Sequence, residues 1–218
     1  MTLHDTRSLP ETWYNHWELM VMTNIPTQTS TALKEWATVL EAMARGEQVL
    51  LIRKGGLIEP GSGFELVADA FLFHPTFEHQ AVAYLRPEFQ RYFEEASAHR
   101  SPSGEVRFEL AGVAAGSWQV SDPGAIERLR EFHIYNDAFT TQRLKWQPEM
   151  PLVIAAVRVF RLPAPQVIPV APHYAGCKSW VQLEASVPLQ GARPIIDDAT
   201  FGVRLQELRA LLKGDEGL

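Results

Sequence analysis

The sequence predicts an α/β or α+β protein with one principal core and a mixed, partly barrel-like sheet flanked by helices. Three segments carry this prediction: an apolar stripe at helical spacing over 31–45, a short apolar run over 48–53, and a run that is apolar on both faces over 152–160. With 218 residues, 46% hydrophobic and 21% charged, the composition is that of an ordinary globular protein. We expect an irregular lead-in over 1–29 and one domain over 30–218, with a possible subdivision near 99–104.

The first half of the chain alternates helix and strand signals. Apolar residues recur every three or four positions from Leu33 to Met43, which predicts a helix over 31–45 that ends at Gly46 in a positive-φ conformation. The segment 48–53 predicts a buried strand, and 71–73 a second one that stops at Pro75. A short helix is expected after Pro87.

The second half is predicted from the same signals. Strands are expected over 106–110 and 117–120, and Asp122 followed by Pro123 opens a helix over 123–144. The segment 152–160 predicts a central strand, 163–172 a proline-rich connector, and 179–183 another strand. The last predicted helix spans 199–213, capped by Asp197 or Asp198, and turns four residues inward: Phe201, Leu205, Leu208 and Leu212.

Charge and cysteine content narrow the functional classes. The formal net charge of −6 argues against a sequence-blind coat for DNA or RNA, whereas a local basic patch stays compatible with it. The single cysteine, Cys177, excludes an internal disulfide and fits a reducing compartment. No apolar run approaches the ~20 residues of a membrane-spanning helix. We expect a cytoplasmic protein without a membrane partner.

A first candidate site is Arg53-Lys54-Gly55-Gly56, which follows the predicted strand over 48–53. Two cations beside two glycines offer positive charge and a backbone that an anion can approach closely. The alternative is a hairpin turn with solvated cations. Arg53 is the residue expected to point inward, where it binds a phosphate or pairs with the carboxylate of Glu65.

A second candidate site lies at the end of the predicted strand over 71–73. Thr76, His79 and Gln80 carry groups that can hydrogen-bond a base edge or a water, and His79 can act as an acid or base. The same stretch admits a nuclease interpretation in which Asp69, Glu78 and His79 are catalytic and carboxylates hold Mg²⁺. Otherwise no cofactor or metal is expected. The alternative for each residue is a structural role.

A third candidate site is the segment 173–180. Lys178 and Trp180 offer a cation near a flat ring, which nucleobase stacking requires. His173 and Cys177 are four residues apart, a spacing that holds a metal only on a helix, and Gly176 favours a loop. We expect Cys177 to be a buried packing residue, since free cysteine is among the most buried residue types.

Four segments in this order resemble an uncharacterised bacterial family, the domain of unknown function 1802 family: Ala32-Leu-Lys-Glu-Trp-Ala37, Leu51-Ile-Arg-Lys-Gly-Gly56, Phe73-His-Pro-Thr-Phe-Glu-His-Gln80 and Tyr174-Ala-Gly-Cys-Lys-Ser-Trp180. The resemblance implies a link to DNA restriction or modification, because some relatives are joined to a restriction-endonuclease-like domain. The segment over 31–53 is also similar to the opening of small β-barrel modules of the PUA and ASCH kind, which is an analogy of fold.

Taken together, these patterns favour a nucleic-acid-associated binding module, accessory to DNA restriction, modification or repair, with DNA or RNA as its partner. In this hypothesis Arg53 and Lys54 contact phosphate, while Thr76, His79, Gln80, Lys178 and Trp180 line a pocket. The alternatives are a metal-dependent nuclease or hydrolase and a non-enzymatic protein-interaction subunit. Because ligand sites gather at strand ends, the second and third candidate sites are expected to meet in space, close to Arg53.

Overall fold

The computed structural model describes residues 25–54, 66–102 and 104–212. The strands are β1 (Gln28–Trp36), β2 (Leu50–Arg53), β3 (Ala70–Thr76), β4 (Glu105–Val120), β5 (Leu152–Pro169), β6 (Trp180–Pro188) and β7 (Arg193–Pro194). The α-helices are α1 (Ala37–Met43), α2 (Arg91–Ala98), α3 (Pro123–Arg128), α4 (Asp137–Lys145) and α5 (Asp198–Leu212). Short 3₁₀ turns are Val82–Tyr84, Pro87–Phe89, Arg130–Phe132 and Pro172–Tyr174. Within these ranges no helix is long and apolar enough to cross a membrane.

The strands form one mixed sheet in the order β2-β5-β4-β3-β1-β6, and β7 adds to β5. β1 and β3 run parallel, and the other pairs are antiparallel. Because β1 and β3 are parallel, Trp36 and Thr76 lie side by side at the ends of the two strands. The fold is α+β with a mixed sheet and one principal core, as expected, and the sheet is open rather than closed into a barrel.

Alternate strand residues point to the two faces of the sheet, and both faces are covered. Leu33, Phe71 and Phe73 belong to the larger apolar cluster, which lies under the helices. Ala32 and Leu72 belong to a smaller cluster on the opposite face, closed by Tyr174, Leu183 and other side chains. The two clusters bury β1 and β3 from both sides.

The helix predicted over 31–45 is wrong over its first six residues. Residues up to Trp36 form β1, and the helix begins only at Ala37. Ala32 and Leu33 are both fully buried on opposite faces, which is the pattern of a covered strand. The apolar spacing of α1 extends back into β1, but β1 pairs with a strand on each side, and this pairing decides its structure. Gly46 has φ +74°, as predicted.

The proline-rich connector predicted over 163–172 is also wrong, because β5 continues to Pro169. The register breaks where Phe108 pairs with Gln166 and Leu110 with Arg161. Pro163 and Pro165 lie in this break, where no ladder N–H is required of them. The strands predicted over 106–110 and 117–120 likewise belong to one long strand, β4, with a second irregularity between Ala114 and Gly116.

The helix predicted over 123–144 is divided into α3, a 3₁₀ turn and α4. The break is extended at His133, and the side chain of Asn136 accepts from the N–H groups of Ala138 and Phe139 to begin α4 anew. The start at Asp122-Pro123 and the final helix are as predicted: Asp197 accepts from the Thr200 N–H at 2.8 Å. The four residues predicted to face inward from the final helix are buried.

The sheet curls so strongly that two strands far apart in its order are joined by side chains. β2 and β1 are separated by three strands, which in a flat sheet places them roughly 19 Å apart. Yet Arg53 of β2 donates to the Lys34 carbonyl of β1, and its Nη2 lies 3.2 Å from Glu35 Oε2. We call this contact the Arg53–Glu35 latch. Gly112 sits at the curl, where an added Cβ would lie 2.7 Å from a Val157 methyl.

The latch is largely buried, with side-chain exposures of 18% for Arg53 and 7% for Glu35. Breaking a buried pair leaves an uncompensated charge, so Arg53→Met should lower the free energy of unfolding by about 3 kcal/mol. In a double-mutant cycle with Glu35→Gln, the double variant should lose less than the sum of the single losses. Urea unfolding measures all three variants.

Arg107→Met is the matched control, since the Arg107–Glu109 pair is exposed and should contribute about 1 kcal/mol or less. Additive losses in the cycle would show that Arg53 and Glu35 do not act as a pair.

Candidate functional site: a basic cleft at the ends of β1 and β3

A cleft of about 1420 Å³ opens where β1 and β3 end. Its described lining comes from the ends of these strands, from β2, β4 and β5, from α1, α2 and α4, and from the loops before β4 and β6. We call it the strand-end cleft. It is larger than the ~300–1,000 Å³ of typical small-ligand pockets, so it has room for a nucleotide or a short strand.

The described lining is basic, in contrast to the acidic chain. It carries nine Lys and Arg side chains: Lys34, Arg45, Arg53, Lys54, Arg100, Arg107, Arg143, Arg161 and Lys178. It carries five carboxylates: Glu35, Glu41, Glu78, Glu105 and Glu109. The chain as a whole has a formal net charge of −6. Positive charge is therefore concentrated in the cleft, which favours an anionic ligand there.

The inner wall of the cleft is built on the Arg53–Glu35 latch. Glu35 Oε1 also accepts from the Trp36 N–H at 2.7 Å, so the carboxylate is fixed at the end of β1. Burial, and next the charge of Glu35, raise the pKa of Tyr135 above its ordinary range, and the phenol stays protonated. The Glu65 carboxylate named as a partner of Arg53 lies outside the described residues.

Lys54 and Arg53 point in different directions, as strand alternation predicts. The Lys54 ammonium donates to the carbonyls of Arg143 and Leu144 at 3.0 and 3.1 Å, where α4 ends. A cation there balances the negative end of the helix. Burial lowers the pKa of Lys54. Lys54 thus lines the cleft while holding α4 in place; Gly55 and Gly56 lie outside the described residues.

The residues proposed at the end of β3 divide between structural contacts and the cleft. Thr76 donates to the Glu35 carbonyl at 3.0 Å and ties the ends of β3 and β1 together. The side-chain oxygen of Gln80 accepts from the Thr38 hydroxyl and N–H, and so secures the start of α1. His79 is exposed, lines the cleft and has φ +65°, a strained conformation for a residue that is not glycine.

Lys178 lines the cleft, whereas Trp180 does not feature in its described lining. The Trp180 ring packs edge-on against Phe71, with centroids 5.1 Å apart, and joins the larger apolar cluster. The second and third candidate sites do meet, since β1 pairs with β3 on one side and β6 on the other. They meet through His79 and Lys178 rather than through Trp180.

The residues of the nuclease interpretation are not brought together. Asp69 precedes β3 and is exposed, while Glu78 and His79 follow its far end, so the full length of the strand separates them. Seven residues of strand span roughly 23 Å. Across the described ranges, no group of three or more His, Cys, Asp or Glu side chains is arranged to hold a metal ion.

The prediction that Cys177 is a buried packing residue is wrong. Cys177 is exposed, in the loop between the Pro172–Tyr174 turn and β6. Gly176 has φ +91° in this loop, so Cys177 is carried on a turn rather than on an element that packs into the core. The Nε2–H of His173 donates to the Gln182 carbonyl, 3.0 Å away.

An aromatic wall was missed by the sequence reasoning. Trp36, Tyr135 and Trp146 line the cleft, and Trp36 packs against Tyr84 in a stacked arrangement. Tyr135 stacks on Phe139 at 3.7 Å. Its position follows from the break in the predicted helix over 123–144, which no local pattern indicated. Tyr135 is buried, so the partly exposed rings of Trp36 and Trp146 are the ones in this wall that can stack with a base beside the cations.

Lys34 was missed as well, because β1 was interpreted as a helix. Its ammonium donates to the Gly176 carbonyl at 2.9 Å, and its N–H to the Ser179 carbonyl at 2.8 Å. The signal was present in the sequence: Lys34 and Glu35 follow Ala32-Leu33, and strand alternation sends the two charges to opposite faces.

These features define an α+β protein with an open, curled sheet and a basic, aromatic-lined cleft at its strand ends. The chain belongs to the family described as Domain of unknown function (DUF1802), whose model matches residues 32–207. The resemblance seen in the four sequence segments is thereby confirmed. Comparison with curated proteins and with solved structures finds no significant match to the chain.

The buried imidazole of His133 predicts a loss of stability in acid. Its Nδ1 accepts from the Tyr135 N–H at 3.2 Å, and burial lowers its pKa from 6.5 to about 4. The unfolded chain then binds a proton more readily, so the stabilisation is complete above about pH 6.5 and declines as pH falls toward about 4. From about pH 7 to pH 5, His133 should account for a loss of about 2 kcal/mol.

His133→Asn keeps an acceptor for the Tyr135 N–H and removes the titration, so its unfolding free energy should depend less steeply on pH. Urea unfolding at the two pH values measures the difference. His173→Asn controls for loss of an exposed imidazole. Parallel profiles for wild type and His133→Asn would refute this assignment.

Exposure of Cys177 predicts that the native protein is alkylated there. A maleimide should label one thiol in the folded state, within about tenfold of the rate in urea, since an exposed thiol needs no unfolding to react. Mass spectrometry over time measures the reaction, and Cys177→Ser is the blank. Labelling that begins only after unfolding would contradict the exposed position.

Proposed function

We propose that the protein is a nucleic-acid-binding module that holds its ligand in the strand-end cleft. The observation that carries the proposal is the concentration of cations in this cleft, on a chain that is acidic overall. Charge elsewhere on the molecule would repel a polyanion, so attraction is confined to one place. The aromatic wall beside Arg53, Lys54 and Arg143 supports the same ligand class.

The size and shape of the cleft favour single-stranded nucleic acid. Trp36 and Trp146 are partly exposed along its wall, and only unpaired bases present their faces for stacking. Direct hydrogen-bond readout by Gln80 receives less support, because its side-chain oxygen is bound to Thr38. We further propose a cytoplasmic accessory role in DNA restriction, modification or repair, which the single cysteine and the resemblance of the four sequence segments support.

Fluorescence anisotropy with labelled single-stranded DNA, duplex DNA and RNA tests the proposal across a salt series. Affinity should fall as salt rises, because bound phosphates release counterions. Lys178→Gln should weaken binding and reduce the salt slope by about 1. Lys145→Gln makes the same change at an exposed lysine of α4 that does not feature in the described lining, and it should leave both quantities unchanged.

Two results would overturn the proposal. If Lys178→Gln and Lys145→Gln have equal effects on affinity, the cleft is not where the nucleic acid binds. Absence of binding to all three nucleic acids at low salt would remove nucleic acid altogether and favour a protein-interaction subunit.

A further inference from the structure

Two lysines meet at one corner of the strand-end cleft. Lys34 reaches from β1 to the Gly176 carbonyl at 2.9 Å, and Lys178 folds back onto the His173 carbonyl. Both ammonium groups are therefore held against the same loop, which runs from His173 to Ser179. We call this arrangement the Lys34–Lys178 corner.

Among the described residues, neither ammonium group of the corner forms an ion pair with a carboxylate. The described hydrogen-bond partners of both ammonium groups are neutral carbonyl oxygens. The acidic group in electrostatic reach is Glu78, which is exposed and lies 4.0 Å from Arg100. Burial and then the charge of Lys178 lower the pKa of Lys34, as expected for like charges held close together. His74 adds no charge at neutral pH, since burial lowers its pKa further.

The corner also has space and hydrogen-bonding capacity for a ligand. An ammonium group has three N–H donors, and each lysine uses one of them in the described contacts. Ala175, Gly176 and Cys177 are exposed, and Lys178 is partly exposed. A Cβ added at Gly176, where φ is +91°, would meet nothing within 4 Å. An anion can thus approach the loop backbone and both lysines together.

We propose that the Lys34–Lys178 corner binds a phosphomonoester, which in the proposed function is the terminal phosphate of a nucleic-acid strand. A phosphomonoester carries about −1.5 to −2 at neutral pH, whereas an internal phosphodiester carries one negative charge. Two ammonium charges that form no ion pair within the described ranges match the dianion. Lysine supplies a compact point charge suited to a terminal phosphate, without the planar fork by which arginine grips two oxygens.

The test compares one short single strand with three different 5′ ends: phosphate, methyl phosphate and hydroxyl. The methyl phosphate keeps the phosphorus and removes one charge. The 5′-phosphate strand should bind the wild-type protein about tenfold tighter or more than the hydroxyl strand, with the methyl phosphate between them. A 3′-phosphate strand shows which end enters the corner.

Lys34→Gln and Lys178→Gln should each remove most of this preference, measured as the ratio of the affinities for the phosphate and hydroxyl strands, so that a loss of affinity common to both strands cancels. The glutamine amide at position 34 still carries a donor for the loop carbonyl, and thermal unfolding checks that the fold is kept. Lys145→Gln is the matched control and should retain the full preference.

Small phosphate ligands test the Lys34–Lys178 corner independently of strand binding. Inorganic phosphate or a nucleoside monophosphate should slow the alkylation of Cys177, which lies between Gly176 and Lys178, and should do so less in the two corner variants. Strand binding without any preference for phosphate, and without protection of Cys177, would overturn the corner and leave the proposed function standing. Protection of Cys177 without binding of any strand would keep the corner and overturn the proposed function.

Discussion

The Arg53–Glu35 latch is the interaction on which the architecture depends. Without it, β2 and β1 would be two strands near opposite ends of an open sheet, with no ladder hydrogen bonds between them. The latch holds the sheet in its curl, and the curl makes the cleft concave. It also fixes the carboxylate that faces Tyr135 and places one cation of the cleft lining. Stability and the shape of the site therefore rest on the same pair.

The sequence pattern predicted an element correctly where the tertiary contacts of that element favour the same structure. The capped helix α5 and the strand over 152–160 were predicted because periodicity, caps and burial all favour one structure. β1 was not, because its helical spacing competes with pairing to β3 and β6, which is decided by distant residues. The prolines after Phe160 were misinterpreted because the pairing register between β4 and β5 breaks there, which the sequence does not indicate. In the break, a proline does not need the N–H that a paired strand residue donates.

The sequence predicted which residues lie at the candidate site better than it predicted what each of them does there. Arg53, Lys54, Thr76, His79 and Lys178 do line one cleft, whereas Gln80 and Trp180, also expected there, do not feature in its described lining. Side-chain partners depend on tertiary contacts, however. In the folded chain Lys54 hydrogen-bonds the last carbonyls of α4, and Gln80 hydrogen-bonds the start of α1. Trp180 packs in the core because its position on β6 faces the larger cluster. Lys34 and Tyr135 emerge only once the chain is folded.

Three consecutive residues at the end of β1 explain why the cleft combines different chemistries. Lys34 faces one side of the sheet and reaches the loop before β6, while Glu35 faces the other side and enters the latch. Trp36 stands where the strand becomes a helix and turns into the aromatic wall. Alternation along a strand with neighbours on both edges thus distributes a cation, a carboxylate and a ring around one opening. In a helix, successive side chains would be turned by about 100° around one axis, and the strand pairing that places Lys34 beside the loop and Glu35 beside Arg53 would be lost.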